Sequence, residues 1–142
     1  MRLINPLTKR FLRRGGKISE RLVILHFTGR KSGREYSTPV GYRTIDGRIA
    51  LLTNSGWRHN FRGGADVQVT LKGDTIDARA RLLSSPAAVA EIYDRLIGEL
   101  GWQKAGRELG IRINADRRPT LGELEEMIQK SGLSIVWIDP VE

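Results

Sequence analysis

The dipeptide Asp46-Gly47 stands between two extended runs, Tyr36 to Ile45 and Arg48 to Thr53. Both residues tolerate the positive φ that two-residue hairpin turns require, so the flanking runs are read as neighbouring antiparallel strands. Gly73-Asp74 does the same between Val67–Lys72 and Thr75–Leu83, where Ile76, Ala78, Ala80 and Leu82 fall on one side and Asp77, Arg79 and Arg81 on the other. Leu22 to Phe27 reads as a buried strand and Leu133 to Ile138 as the last one, with Pro39 marking a bulge or an unpaired N–H. The sum is about six strands in curved hairpins, which close most easily into a small barrel.

Helices precede the final strand. Ser85-Pro86 supplies an N-cap and an N1 proline for a helix through Leu100, with Val89, Ile92, Leu96 and Leu100 on one stripe. Trp102 to Leu109 is helical in pattern, although Gly106 and Gly110 weaken it. Arg112 to Arg118 reads as a loop. Thr120 and Glu123 form a capping box opening a helix through Lys130, with Leu121, Leu124, Met127 and Ile128 inward and Gly132 as the stop. The fold class is a β-rich α+β protein, with residues 1–17 as a basic arm and residues 18–142 as a single domain.

Cysteine is absent, which excludes disulfides and thiolate chemistry and suits a cytoplasmic protein. The net charge of +8 is local: residues 1–31 hold nine Lys/Arg and one acid, leaving 15 basic against 15 acidic residues elsewhere. No basic face with interleaved aromatics follows, so nucleic acid is not the expected partner. In the arm, Leu3, Ile4, Leu7, Phe11 and Leu12 recur at helical spacing among Lys and Arg. Its apolar side either packs on the domain or lies on an anionic membrane surface, as a peripheral contact at the inner face of the cell membrane.

The rest of the basic excess sits in Thr28-Gly29-Arg30-Lys31-Ser32-Gly33-Arg34. Two glycines permit a tight turn whose N–H groups converge, and Arg30, Lys31, Arg34 and Ser32 supply charge-assisted donors for a phosphate or carboxylate. The spacing is neither that of the P-loop nor of the dinucleotide fingerprint. On the residues alone, an anion cradle and a solvated basic turn both stand. Trp57-Arg58-His59-Asn60 after Asn54-Ser55-Gly56 offers a stacking face beside polar donors, or else Trp57 and Phe61 are the buried face of one helical turn. His26 is read as a satisfied structural histidine rather than a metal ligand. No metal-ligand cluster, G-x-S-x-G elbow, carboxylate pair or triad is evident, so any hard chemistry belongs to a cofactor.

The Thr28–Arg34 turn, Ser37-Thr38-Pro39-Val40, the run to Gly56 and Trp57-Arg58-His59-Asn60-Phe61 together resemble the deazaflavin-dependent nitroreductase family of flavin/deazaflavin oxidoreductases. The likeness covers residues 20 to 83. It implies a split β-barrel that binds coenzyme F420, a deazaflavin with a phosphate and an oligoglutamate tail. By position, Arg30, Lys31, Ser32 and Gly33, helped by Arg34, hold the phosphate and tail. Thr38, Pro39 and Val40 run along the ring. Asn54, Ser55 and Gly56 complete the phosphate side, bordered by Trp57, Arg58 and Asn60. The implied reaction is hydride transfer from the reduced deazaflavin to a small-molecule acceptor such as a quinone, enone or nitroaromatic.

The chain departs from the family pattern in places. Tyr36 replaces a basic residue, Asn54-Ser55 replaces a lysine-bearing turn, and no tyrosine follows Tyr93, so Trp102 and Arg112 are the most site-like residues of the C-terminal segment. No catalytic residue is assigned. A homodimer is a further expectation, FMN is the alternative cofactor, and a cofactor carrier or a non-enzymatic binding module working through its arm are the alternative functions.

Overall fold

The computed structural model describes residues 22–71, 73–113 and 116–141, so the arm and Lys72 lie outside the described residues. Two compact units emerge, one from the described residues up to Leu82 and from Val136 onward, the other from Leu83 to Ile135. The first carries a seven-stranded sheet. Its strands are β1 (Leu22–Thr28), β2 (Glu35–Gly41), β3 (Arg43–Ile45), β4 (Arg48–Thr53), β5 (Ala65–Leu71), β6 (Asp74–Leu83) and β7 (Ser134–Pro140), in the order β2-β1-β5-β6-β7-β4-β3.

The single strand expected from Tyr36 to Ile45 is two strands, and the reason lies in pairing. Glu35–Gly41 pairs with β1, whereas Arg43–Ile45 pairs with β4 at the opposite end of the sheet order. Only Tyr42 separates them. A chain that passes from one edge of a sheet to the other in one residue forces the sheet to curl until its ends meet, and β2 does contact β4. Tyr42, buried at 4 %, fills the inside of that corner. The sheet is therefore a curled half-barrel whose interior holds Leu25, Ile49, Leu51, Phe61, Val69 and Ile138. Each such side chain contributes about 1.5–3 kcal/mol by leaving water.

The Asp46-Gly47 turn forms where the sequence places it, whereas at the second hairpin Asp74 is already strand, paired with Leu71 as the first residue of β6, so that turn falls earlier than Gly73-Asp74. Asp46 and Gly47 have φ of 53° and 74°, the left-handed pair that a primed turn needs. The β6 alternation is as read, with Ala78 and Ala80 buried and Asp77 and Arg81 exposed. The apolar run of β1 differs from expectation because, among the described residues, one face packs inward and the other does not: Val23, Leu25 and Phe27 are buried, while Leu22 and Ile24 are 53 % and 42 % exposed.

The second unit is helical: α1 (Pro86–Leu100), α2 (Trp102–Leu109) and α3 (Leu121–Ser131). Ser85 caps α1 and the Thr120–Glu123 capping box caps α3. The buried face of α1 is Val89, Ala90, Tyr93, Leu96 and Ile97, rotated from the expected stripe so that Ile92 and Leu100 are half-buried. On α3, Leu124 and Ile128 are buried, but Leu121, at the first helical position beyond the packed face, is 44 % exposed. Arg118 locks the loop before α3 to α1 by donating to the carbonyl and carboxylate of Asp94 at 2.8 and 3.0 Å. It lies over Gly98, where a Cβ would sit 3.1 Å from its guanidinium.

Candidate functional site

Phe27 at the end of β1 is the hub of an aromatic cluster in the first unit. Tyr36, its cross-strand partner, stacks on it at 5.4 Å, and Trp57 and Phe61 approach at 6.1 and 5.5 Å. Trp57 and Phe61 come from a 3-10 turn, Gly56–Phe61, with rings 6.0 Å apart. Phe61 is wholly buried and Trp57 half-buried. The two readings of that pair thus divide between them: Phe61 belongs to the core and Trp57 to a surface. That surface is the wall of a cleft of about 1060 Å³, bounded by the β1–β2 turn, the start of β2 and the 3-10 turn.

The β1–β2 turn is wired differently from the converging cradle expected. Gly29 N–H donates to the Arg34 carbonyl at 2.8 Å, Gly33 N–H to the Gly29 carbonyl at 3.0 Å, and Arg34 N–H to Ser32 Oγ at 3.2 Å. Arg30 N–H donates to Asn60 Oδ1 at 2.8 Å. These four N–H groups hold the turn itself, which leaves the side chains of Arg30 and Lys31 as its donors toward the cleft. Of the turn's two glycines only Gly33 uses positive φ, at 69°. Gly29 is required for space: a Cβ there would lie 2.6 Å from Ser32 Oγ and 2.9 Å from the Tyr36 ring.

The cleft gathers Arg30, Lys31, Ser32, Thr38, Gly56, Trp57 and Asn60 from the residues read in the sequence. Its lining does not include Gly33, Arg34, Pro39, Val40, Asn54, Ser55 or Arg58. Val40 packs against the core, and Pro39 sits opposite Ile24 on β2, the first strand in the sheet order. Arg58 folds back to donate to the carbonyls of Asn54 and Ser55 at 2.8 and 2.9 Å, so it braces the β4 exit. Asn60 spends its amide on Trp57 O and its carbonyl on Arg30 N–H, which makes it a brace as well as a wall. In the second unit, Trp102 opens α2 and Arg112 borders a small cleft with Glu123 and Met127.

Phe27, Gly29, Tyr36, Ser37, His59 and Arg62, to which the sequence assigned no cofactor contact, also line the cleft. For His59 and Arg62 a signal existed, since a spacing of three places both on one side of a 3-10 turn. Arg62 Nη2 donates to His59 Nδ1 at 3.0 Å, and Arg30 Nη1 donates to the Arg62 carbonyl at 3.2 Å. Partial desolvation, then the charges of Arg58 and Arg62, hold His59 below its ordinary imidazole value. His26 lies outside this cleft and is satisfied as expected: its ring nitrogens meet Ser37 Oγ at 2.7 Å and Thr70 Oγ1 at 2.8 Å. Among the described residues no group of three His, Cys, Asp or Glu is placed to hold a metal ion.

The family model for F420H(2)-dependent quinone reductase matches residues 6–113, about three-quarters of the chain. The chain belongs to that family. It is similar in fold to the conserved hypothetical protein Rv2991 of Mycobacterium tuberculosis, at 18 % identity and a TM-score of 0.57 over 99 % of this chain and 82 % of that one. HutZ, the heme storage protein of Vibrio cholerae, matches at 14 % identity and a TM-score of 0.56, over 100 % of this chain and 92 % of HutZ. The general stress FMN/FAD binding protein of Xanthomonas citri gives 15 % and 0.51, over 95 % and 87 %. These likenesses identify the curled sheet as a split β-barrel. Among curated proteins none matches the sequence significantly.

Members of the F420H(2)-dependent quinone reductase family are reductases with coenzyme F420 as their cofactor, and the cleft can be tested against that molecule. Its cations are Arg30, Lys31 and Arg62, and no carboxylate lines it among the described residues. Tyr36 and Trp57 offer flat faces for a fused ring. The cleft is large enough for a cofactor of this size, since small-molecule sites run to about 1,000 Å³. Polyanion, ring and volume all fit.

Proposed function

We propose that this protein is an F420-dependent reductase whose cleft holds the cofactor's phosphate and acidic tail at the Arg30–Lys31 turn and its ring along Thr38 and Trp57. One observation carries the reading: three cations and no carboxylate among the described residues border a cleft whose wall is aromatic. Charge-assisted bonds from guanidinium and ammonium groups suit a polyanion, and the aromatic wall suits a planar heterocycle. When bound and reduced, the cofactor supplies a hydride for an electrophilic acceptor, a quinone, enone or nitroaromatic in this proposal. The protein's own part is positional. Asn60 and Arg30 fix the turn against the 3-10 element, Gly29 lets Tyr36 lie close over Ser32, and the aromatic cluster keeps water from one side of the ring.

Cytoplasmic placement, with residues 1–17 touching anionic lipid, belongs to the same proposal and is supported by the basic amphipathic sequence of that arm. Among the described residues no helix is long and apolar enough to cross a membrane.

Titration with F420 and in parallel with FMN, followed by tryptophan fluorescence at two salt concentrations, tests the reading. F420 should bind, more weakly at high salt because exposed cations are screened. Lys31→Ala should weaken it about tenfold, the equivalent of 1.4 kcal/mol. Binding of FMN alone would keep the barrel and replace the cofactor, and binding of neither would reject the assignment.

A further inference from the structure

Two basic residues of the cleft, His59 and Arg62, are given no cofactor contact by the family resemblance, and their geometry gives them a property that the β1–β2 turn lacks. Arginine only donates, so the 3.0 Å contact from Arg62 Nη2 makes His59 Nδ1 an acceptor and leaves its remaining proton on Nε2. His59 is therefore neutral in this arrangement. A proton on Nδ1 would break the bond, since two donors would then face each other, and would release the Arg62 guanidinium.

The groups around His59 oppose that proton. Arg58 and Arg62 flank it on its own segment, while Arg30 and Lys31 line the same cleft from the β1–β2 turn, Arg30 bonded to the Arg62 carbonyl. The other residues of the cleft are neutral: Gly29, Ser32, Tyr36, Ser37, Thr38 and the aromatic and amide groups of the 3-10 turn. No carboxylate lines the cleft among the described residues, so no residue of this lining compensates an imidazolium, whereas an anionic group of a bound ligand would. We infer that His59 and Arg62 form a titratable anion subsite, which takes a phosphate or carboxylate of the bound molecule and takes up a proton at His59 as it does so. The inference rests on the reading of the cleft as an F420 site and adds to it a pair outside the β1–β2 turn. It gives binding a pH dependence of definite sign: an anion raises the proton affinity of His59, so affinity rises as pH falls through the imidazole range.

The experiment combines calorimetry and NMR on the full chain. F420 is titrated at pH 5.5 and pH 8, each in two buffers of different ionisation enthalpy, into the wild type, His59→Gln and Arg62→Gln. The wild type should bind about tenfold tighter at the lower pH with net proton uptake, and His59→Gln should lose most of both effects. Arg62→Gln should bind more weakly at both pH values and titrate His59 at higher pH, because one cation is gone. FMN distinguishes the source of the anion: because its own phosphate titrates at about pH 6, only proton uptake that is lost in His59→Gln assigns the subsite to a phosphate, and such uptake with F420 alone assigns it to the acidic tail. Sulfate, whose charge is constant over this range, provides a readout independent of the cofactor, since it should raise the pH at which the His59 Cε1–H resonance titrates. Equal proton uptake in wild type and His59→Gln, or a sulfate-insensitive His59, overturns the subsite while leaving the F420 assignment intact. Failure of F420 to bind the wild type overturns that assignment, and the sulfate titration then decides the subsite alone.

Discussion

Asn60 accepts the backbone N–H of Arg30, thirty residues earlier in the chain, at 2.8 Å. Its amide nitrogen donates at 2.8 Å to the carbonyl of Trp57, so one side chain joins the basic turn to the aromatic wall. Asn60→Ala removes both bonds. Each contributes about 1 kcal/mol at a partly exposed position. The variant should melt lower by about 3–6 °C, the shift that 1–2 kcal/mol produces in a chain of this size. It should also lose F420 affinity by more than its stability loss suggests, because the cations are no longer held beside Trp57. Asn60→Asp keeps the acceptor and loses the donor. It should fall between the two in a thermal melt, whereas a purely ligand-contacting Asn60 would leave the melting temperature unchanged.

Gly29 makes the second prediction. Its φ is not in the left-handed region, so alanine is tolerated by the backbone and the whole effect is steric. A Cβ 2.6 Å from Ser32 Oγ and 2.9 Å from Tyr36 must push both away, and the Tyr36 ring moves off Phe27. Both are exposed side chains that can yield, so Gly29→Ala should cost only about 1 kcal/mol of stability. Ligand affinity should fall further, and Gly29→Ala/Ser32→Gly, which removes the nearer clash, should recover part of it. Equal affinity in wild type and Gly29→Ala would mean that Tyr36 and Ser32 do not shape the bound state.

The parts of the fold that were legible are those with local causes. Asp46-Gly47 needs only its own φ preferences to make a hairpin, and Thr120 and Glu123 need only each other to start a helix. The jump at Tyr42 was not legible, because it depends on β2 choosing β1 while β3 chooses β4, a competition between distant strands. The same division runs through the site. The basic turn is visible as a motif, but the commitment of its N–H groups to Asn60, Ser32 and its own carbonyls is a matter of tertiary geometry. Arg58 and Arg62 look alike in sequence, yet the first turns back to brace Asn54 and Ser55 and the second faces the cleft.

His26 supports a prediction that separates structure from binding. On the outer face of β1 its ring bridges β2 and β5 through Ser37 and Thr70, and Thr70 continues to Thr75 on β6 at 2.7 Å. Four neighbouring strands are thus tied by a polar row. His26→Ala should lower stability by about 1–2 kcal/mol, the value of two part-exposed hydrogen bonds. His26→Phe, which keeps the ring's area and loses both bonds, should fall close to it. Neither variant should change F420 affinity by more than about twofold, since a twofold change is only about 0.4 kcal/mol. A loss of binding at unchanged melting temperature would assign His26 to the site instead.

Glu123 links pH to the helical unit. Its carboxylate takes two bonds from Arg117 at 2.8 and 2.9 Å and one from the Thr120 N–H at 2.9 Å, while Thr120 Oγ1 accepts the Glu123 N–H. The Arg117 bonds foremost, then the Thr120 N–H, pull its pKa from 4.5 down to about 2. A carboxylate depressed in the folded state stabilises fully above its unfolded value, and that contribution fades as pH falls through the folded one. The start of α3 should therefore loosen between pH 4.5 and about 2 and stay unchanged from pH 5 to pH 8. A 13C titration of the Glu123 carboxylate should give the low value directly. Arg117→Gln, which removes the foremost cause, should raise it toward 4.5, and amide exchange at Glu123 and Leu124 should then accelerate at a higher pH than in the wild type. An unshifted carboxylate in the wild type would mean that the Arg117 bonds do not persist in solution, and the capping box would then rest on Thr120 alone.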